Sequence, residues 1–251
     1  LKNLIPQLKG AIQEVLPDYL ISRYHLQSLE KAYVDVHFPS NLEELEQARR
    51  RLKFNELFFL QMELIRQKEV HRHKYRGFAF RELGENFNRF FEGILPFELT
   101  GAQKRVLKEI RQDIRNGAHM NRLVQGDVGS GKTIVALMAA LMAIDNGFQA
   151  CLMAPTEILA NQHYQGLSEL TADLPINIAL LTGSTKASER KVLHEQLQNG
   201  ELHLLVGTHA LLEEKVKYKN LGLAIVDEQH RFGVAQRSKL WHKNELPPHI
   251  L

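Results

Sequence analysis

The spacing of hydrophobic residues changes near residue 95 of the 251-residue chain. Upstream, apolar side chains recur at helical spacing, and no strand-like alternation is present. Ser40 and Glu43 match a capping box, which predicts a helix start just after Pro39. We therefore expect a long helix over residues 42–75 whose apolar stripe is buried against another helix or domain. The stripe consists of Phe54, Phe58, Met62 and Ile65, widened by Leu57, Leu60 and Leu64.

Downstream of Pro96, short apolar runs alternate with segments of helical spacing. The predicted helices are 101–116, 132–146, 157–170 and 187–198. The predicted strands are 121–125, 151–154, 176–181, 204–207 and 223–227. Short apolar strands alternating with helices indicate an α/β fold whose parallel sheet is covered on both faces. We therefore divide the chain into a helical segment, 1–95, and an α/β domain, 96–251.

Composition places the chain among ordinary globular proteins and excludes disordered or fibrous ones. Hydrophobic residues make up 44% and charged residues 24%, and no apolar run is long enough to span a membrane. The one cysteine, Cys151, excludes an internal disulfide, so we expect a reducing, cytoplasmic compartment. The net charge of +3 says little about binding partners, but residues 66–81 carry six basic side chains and one acidic one. This basic segment either contacts phosphates or forms a solvated helix end.

A glycine-rich motif follows the predicted strand 121–125 and opens the predicted helix 132–146. It fits the phosphate-loop pattern G-x-x-x-x-G-K-[ST] and reads Gly126-Asp127-Val128-Gly129-Ser130-Gly131-Lys132-Thr133. Its glycines allow consecutive backbone N–H groups to face one anion at a helix N-terminus. Lys132 then reaches the β- and γ-phosphates of a nucleotide, and the Thr133 hydroxyl ligates Mg²⁺. The alternative is a flexible glycine turn without a ligand.

Two acids follow the last predicted strand, in the arrangement called Walker B. The apolar run Leu223–Val226 leads directly into Asp227 and Glu228. Because parallel strands place their carboxyl ends at one edge of the sheet, we expect this pair beside the phosphate loop. Asp227 would hold Mg²⁺ through water, and Glu228 would orient and deprotonate the attacking water. Such a base favours hydrolysis over the transfer to an alcohol that a kinase performs.

The box Asp227-Glu228-Gln229-His230 resembles the second motif of superfamily 2 nucleic-acid helicases. The residues that follow are similar to those of RecG-type helicases, namely Arg231-Phe232-Gly233-Val234, Gln236, Arg237 and Leu240. Three further segments match motifs of that family: Leu99–Gln103, Ala154–His163 and Gly207–Leu211. The region upstream, with His37-Phe38-Pro39 and residues 51–57, is similar to the helical link before the motor of these helicases.

The resemblance implies a RecA-like P-loop NTPase fold and a role for each matched motif. Phe97 and Gln103 would contact adenine, although Thr100 and Gln103 also form a capping box. Thr156 and Glu157 are likewise a good helix start. The residues expected to position a nucleic-acid backbone, without reading its sequence, are Pro155, Thr156, Gly207, Thr208 and His209. The residues expected to couple the nucleotide to the nucleic acid are Gln229, His230, Gln236 and Arg237.

The implied function is that of an ATP-dependent DNA helicase acting on forks and junctions in repair and recombination, with ATP and Mg²⁺. The alternatives are a transcription–repair-coupling translocase, a P-loop kinase or NTPase, and a binding module without turnover. The chain starts at a leucine and stops before the family's third motif, so we expect a fragment with one motor domain. The second motor domain, whose arginine fingers complete the ATP site, is expected to be absent, which would make turnover very slow. We further expect a monomer whose partner, in the longer protein, is branched DNA and no membrane.

Overall fold

The computed structural model describes residues 10–74, 76–233, 239–240, 243 and 246–251, and of residues 71–74 the backbone alone. The chain forms two compact units that divide between His71 and Arg72. This division lies upstream of the boundary expected near residue 95, because Phe80, Phe87 and Phe90 are buried in the core of the second unit. Among the described helices, none is both long and apolar enough to cross a membrane.

The first unit is built from α1 (Asp18–Arg23), α2 (Leu29–His37) and α3 (Leu42–Lys74). The long helix predicted over residues 42–75 is therefore confirmed, but its cap lies one residue later than the predicted Ser40. The Asn41 carboxamide accepts from the backbone N–H of Glu44 at 2.8 Å, and the Glu44 carboxylate accepts from the N–H of Ser40 at 3.1 Å. Asparagine is as good an N-cap as serine, so the start at Leu42 selects Asn41.

The apolar stripe of α3 is covered only along part of its length. Phe54 and Phe58 pack on a small core of leucines made by Leu16, Leu20 and Leu26. Met62 and Ile65 are 52% and 56% exposed, so the expectation that the whole stripe is buried is wrong. The reason lies in the size of α1, whose six residues can cover few turns of a 33-residue helix.

The second unit is a five-stranded sheet in which every strand pair is parallel. Its strands are β1 (Gln149–Met153), β2 (Ile178–Leu181), β3 (Leu204–Gly207), β4 (Leu221–Val226) and β5 (His249–Ile250), in the order β2-β3-β1-β4-β5. Its helices are α4 (Glu85–Arg89), α5 (Gly101–Arg115), α6 (Lys132–Asp145), α7 (Glu157–Leu170) and α8 (Ala187–Asn199). Successive residues of β1 enter opposite cores, Leu152 one and Cys151 and Met153 the other. The predicted parallel sheet buried on both faces is thus confirmed.

The approach to the phosphate loop differs from the predicted strand 121–125. Only Asn121 forms a bridge, with Ile250 of β5, and the chain is irregular from Arg122 to Asp127. Backbone bonds run from Ile250 N–H to Met120 O (2.8 Å) and from Arg122 N–H to Ile250 O (3.0 Å). Because β5 has only two residues, it cannot pair with a strand as long as the predicted 121–125. Strand β5, which lies between β4 and this segment, has no counterpart among the strands predicted from sequence.

All the strands run the same way, so the loops after them emerge at one edge of the sheet. Four of these loops carry polar residues, which begin at Thr156 after β1, Thr182 after β2, Thr208 after β3 and Asp227 after β4. This edge, which we call the carboxyl edge, therefore holds residues that the sequence predicts to be functional.

Candidate nucleotide and nucleic-acid site

The phosphate loop is an exposed turn that leads into the N-terminus of α6. Gly129 and Gly131 have φ of +80° and +76°, the left-handed region that glycine adopts without strain. A Cβ on Gly131 would also collide with the Gln103 amide nitrogen. The left-handed backbone therefore favours glycine at Gly131, and the flexible end of the Gln103 side chain would have to shift for any larger residue there. Helix α6 begins at Lys132 and is buried from Ile134 to Ile144, so the loop rests on a fixed helix end.

The Lys132 side chain folds back over the phosphate loop and is hydrogen-bonded to it. Its ammonium donates to the carbonyl oxygens of Gly126 at 2.8 Å and Asp127 at 2.9 Å. Thr133 follows in the first turn of α6 and is half-buried. An exposed loop, a helix N-terminus and one lysine at its centre form a cradle suited to a polyphosphate anion.

Gln103 forms the predicted capping box of α5, and it also bonds to the phosphate loop. Its carboxamide oxygen accepts from Thr100 N–H at 2.8 Å, while Thr100 Oγ1 accepts from Gln103 N–H at 3.2 Å. The Gln103 Nε2 also donates to the carbonyl of Ser130, in the phosphate loop, at 3.0 Å. Gln103 thus ties α5 to the loop, and its contact with adenine stays a prediction. Phe97, the other expected adenine contact, is 48% exposed.

Asp227 directly follows β4 at the carboxyl edge. Its backbone N–H donates to Met153 O at 2.9 Å, which keeps it against the end of β1. Its carboxylate accepts from His163 Nε2, on α7, at 2.9 Å. This hydrogen bond is the main cause that holds the pKa of Asp227 below its usual range, and the positive charge of Lys132 adds to it. Because the segment that leads into the phosphate loop bridges Ile250 of β5 in the parallel sense, the loop is expected to emerge at the same edge of the sheet as Asp227.

Glu228 adopts a left-handed conformation, with φ and ψ both +51°. Such a backbone is uncommon for a residue with a side chain, and strain of this kind concentrates at functional positions. Its side chain is 49% exposed, and one carboxylate oxygen lies 3.4 Å from His230 Nδ1. Gln229 and His230 belong to a short 3-10 turn that ends at Arg231. The other expected coupling residues, Gln236 and Arg237, lie outside the described residues.

The described residues include no cluster of three or more His, Cys, Asp or Glu side chains placed to hold a metal ion. A site with the Thr133 hydroxyl and the Asp227 carboxylate fits Mg²⁺, which in nucleotide sites keeps several waters and uses few protein ligands. The low pKa of Asp227 keeps the carboxylate in the charged form that such a cation requires.

The expected nucleic-acid contacts are unevenly exposed. Thr156 is exposed and caps α7 by accepting from Leu159 N–H at 3.2 Å, and Pro155 beside it is half-buried. His209 is exposed, but Thr208 is only 1% exposed, and its buried hydroxyl has no hydrogen-bond partner among the described residues. Gly207, the last residue of β3, is required by packing, since a Cβ there would collide with the carbonyl of Leu181 on β2. A contact made by the Thr208 side chain would therefore require this segment to open.

One loop of the carboxyl edge was missed from sequence. Ser184, after β2, donates to the two Glu157 carboxylate oxygens through its N–H at 3.2 Å and its hydroxyl at 2.9 Å. Arg190 donates to Thr182 O at 2.7 Å and pairs with Glu213 at 3.0 Å. These bonds join the loop after β2 to the start of α7 and to the segment that follows His209. The signal was present as Thr-Gly-Ser directly after a predicted strand.

The structure describes part of the basic segment 66–81. Arg66 pairs with Glu63 within α3 at 2.8 Å, and this pair lowers the pKa of Glu63 to about 2. The side chains of residues 71–74 are not described. Its contact with phosphates stays a prediction.

Comparison with known proteins gives the family. The sequence profile of the DEAD/DEAH box helicases matches residues 100–249, which is more than half of the chain. The chain belongs to the DEAD/DEAH box helicase family. The phosphate loop, residues 126–133, and the acids Asp227 and Glu228 both lie within the matched region, and membership of this family implies the use of ATP.

The resemblance to RecG-type helicases is also confirmed. The chain is 47% identical to the ATP-dependent DNA helicase RecG of Synechocystis, over all of this chain and 30% of that protein. It is 48% identical to RecG of Streptococcus pneumoniae, over 94% of this chain and 35% of that protein. A solved structure of RecG bound to a three-way DNA junction superposes with a TM-score of 0.78 at 41% identity, covering 98% of this chain and 33% of that one. The chain thus spans about a third of the relatives it matches, and the expected RecA-like fold is confirmed.

Proposed function

We propose that this chain is the nucleotide-binding motor domain, with its helical lead-in, of an ATP-dependent helicase that acts on branched DNA. The observation that carries the proposal is the meeting of the phosphate loop with the Walker B acids at one edge of the sheet. Lys132 and Asp227 come from segments far apart in sequence, and they interact electrostatically. The RecG relatives are named as ATP-dependent DNA helicases, and the superposed RecG is bound to a three-way junction. The finer function is taken from these relatives.

In the proposed reaction, ATP is cleaved by water. Lys132 leaves the carbonyls of Gly126 and Asp127 and donates to the phosphates, while the N-terminus of α6 stabilises their charge. Thr133 and Asp227 would hold Mg²⁺, which when bound neutralises negative charge on the phosphates. Glu228 accepts the proton of the attacking water, for which its exposed carboxylate is available.

Nucleic acid would lie along the rest of the carboxyl edge. Thr156 and His209 are the exposed members of the expected contact set, and the loop after β2 is bonded to the same helix start through Glu157. These groups suit the sugar–phosphate backbone, because hydroxyls and backbone N–H groups at a helix N-terminus bind phosphate without regard to sequence. Branched DNA as the substrate rests on the RecG relatives.

The test is single-turnover hydrolysis of radiolabelled ATP, with and without a three-way DNA junction, by the longer protein that is expected to contain a second motor domain. One motor domain alone is expected to hydrolyse ATP too slowly for a further loss to be measured. Glu228→Gln preserves the side-chain shape but cannot accept the proton, so we expect hydrolysis to fall by about 10²–10⁴-fold while ATP binding stays. Glu195→Gln, an equal change on the exposed face of α8, serves as the matched control. Hydrolysis by Glu228→Gln at the unaltered rate would contradict the assignment of the base.

A further inference from the structure

His163 makes a contact that no motif predicts. It lies on α7, and its Nε2 is 2.9 Å from Asp227 Oδ2, although 64 residues separate the two in sequence. An ionised carboxylate only accepts hydrogen bonds, so the imidazole is the donor. The two side chains are 17% and 30% exposed, which places the bond at the wall of the site rather than in free solvent.

His163 lies on α7, the helix whose N-cap, Thr156, is an expected contact with the nucleic-acid backbone. Thr156 caps α7, and His163 comes seven residues later, about 10 Å along the axis at 1.5 Å per residue. Helix α7 is anchored between these points, because Ala160 is fully buried in the core. One rigid element therefore has the expected phosphate contact at its start and the partner of the metal carboxylate on its second turn.

We propose that His163 is a positioning residue that fixes the Asp227 carboxylate in the orientation that receives Mg²⁺ and ties it to α7. This inference rests on the proposed function, since it assigns Asp227 to the metal. Residues that orient a metal ligand from behind typically change metal affinity 10- to 100-fold when they are removed. Because Asp227 is expected to hold Mg²⁺ through water, we expect the effect at the lower end, about tenfold.

The experiment measures binding rather than turnover. A fluorescent ADP analogue is titrated into the chain with saturating Mg²⁺ and with excess EDTA, and the Mg²⁺ concentration for half-maximal enhancement is determined. His163→Leu removes the donor, so we expect about tenfold more Mg²⁺ to be required, with no change in the affinity measured in EDTA. His163→Gln places an amide nitrogen the same number of bonds from Cβ as the imidazole Nε2, so we expect it to restore most of the Mg²⁺ affinity.

Two controls separate positioning from a general effect on the helix. Asn161→Ala alters α7 at an exposed position whose amide bonds only within the helix in the described contacts, to Glu157 O, so it should leave the Mg²⁺ requirement unchanged. In the second control, His163→Leu is added to Asp227→Asn. If His163 acts through Asp227, the double variant should need no more Mg²⁺ than Asp227→Asn alone.

The outcomes distinguish this inference from the proposed function. An unchanged Mg²⁺ requirement in His163→Leu, with binding that Lys132→Ala abolishes, would overturn the role of His163 and leave the nucleotide site standing. Equal losses in Mg²⁺ and in EDTA, or no rescue by glutamine, would also overturn it, because a merely structural defect predicts them. Absence of binding by the unaltered chain would overturn the proposed function and the inference together.

Discussion

Acidification should destabilise the second unit through one buried histidine, His249. Its Nε2 donates to Phe78 O at 2.8 Å and its Nδ1 accepts from Met120 N–H at 3.0 Å, so the neutral ring satisfies both partners in a single tautomer. A proton on Nδ1 would face the Met120 N–H and break that bond. Burial is the main cause that lowers the pKa of His249 to about 4, and the neighbouring His119 lowers it further, whereas the hydrogen bond to Phe78 and the charge of Asp113 oppose the shift.

The sign and size follow from the pKa values of the folded and unfolded chains. The unfolded histidine, with a pKa of 6.5, binds its proton at a higher pH than the folded one at about 4. The stability from His249 is therefore fully present above about pH 6.5 and is lost as the pH falls toward 4. Between about pH 7.5 and pH 5 the loss amounts to about 2 kcal/mol in the free energy of unfolding.

The assay is urea denaturation followed by circular dichroism at both pH values. His249→Phe keeps a ring beside Phe80 but cannot titrate, so its stability should fall by about 2 kcal/mol less than that of the unaltered chain. This comparison cancels the carboxylates, which titrate in both proteins. If His249→Phe is too unstable at neutral pH, His249→Gln, which can keep one of the two bonds, replaces it. Equal losses in variant and unaltered chain would refute the reasoning.

Three further predictions concern the phosphate loop and the starts of helices α5 and α4. Gly131→Ala should weaken nucleotide binding in calorimetry by about tenfold, because it adds left-handed strain of about 1–2 kcal/mol and displaces the Gln103 amide. Gly147→Ala, at φ +80° with open space around it, should show the strain alone, as a loss in the free energy of unfolding. Thr100→Ala should lower the free energy of unfolding by about 1 kcal/mol, because it removes the N-cap of α5. Gln103→Ala should lower nucleotide affinity more than Thr100→Ala does, because it also removes the hydrogen bond to Ser130 in the phosphate loop. Asp145→Ala should lower the free energy of unfolding by about 1–3 kcal/mol, because it leaves two backbone N–H groups at the start of α4 without their acceptor.

The elements that could be predicted from sequence are those whose ends are fixed locally. Helix α7 begins after Thr156, which caps it, and α6 ends at Asn146 and Gly147, where the chain turns into the left-handed region. The phosphate loop is equally local, because its spacing of glycines, Lys132 and Thr133 carries the geometry within eight residues. Parallel topology then suffices to bring Asp227 to the same edge of the sheet.

What escaped prediction depends on contacts between distant segments. The segment after Met120 reads as a strand, but its partner β5 provides only two residues, and no property of residues 121–125 discloses that. The stripe on α3 marks an apolar face without showing how much of it the short α1 can cover. The bond from His163 to Asp227 joins a helix to a strand end, and it becomes visible only once both are in place.

The most direct test of the central claim is a calorimetric titration of Mg²⁺–ATP into the chain and into Lys132→Ala and Glu228→Gln. The account predicts measurable binding by the unaltered chain and by Glu228→Gln, whose loop is intact, and a loss of at least about tenfold in affinity for Lys132→Ala, since each tenfold step is about 1.4 kcal/mol and a hydrogen bond to a charged group contributes about 1.5–3 kcal/mol. Equal affinity in Lys132→Ala and the unaltered chain would contradict the claim that residues 126–133 cradle the phosphates of a nucleotide.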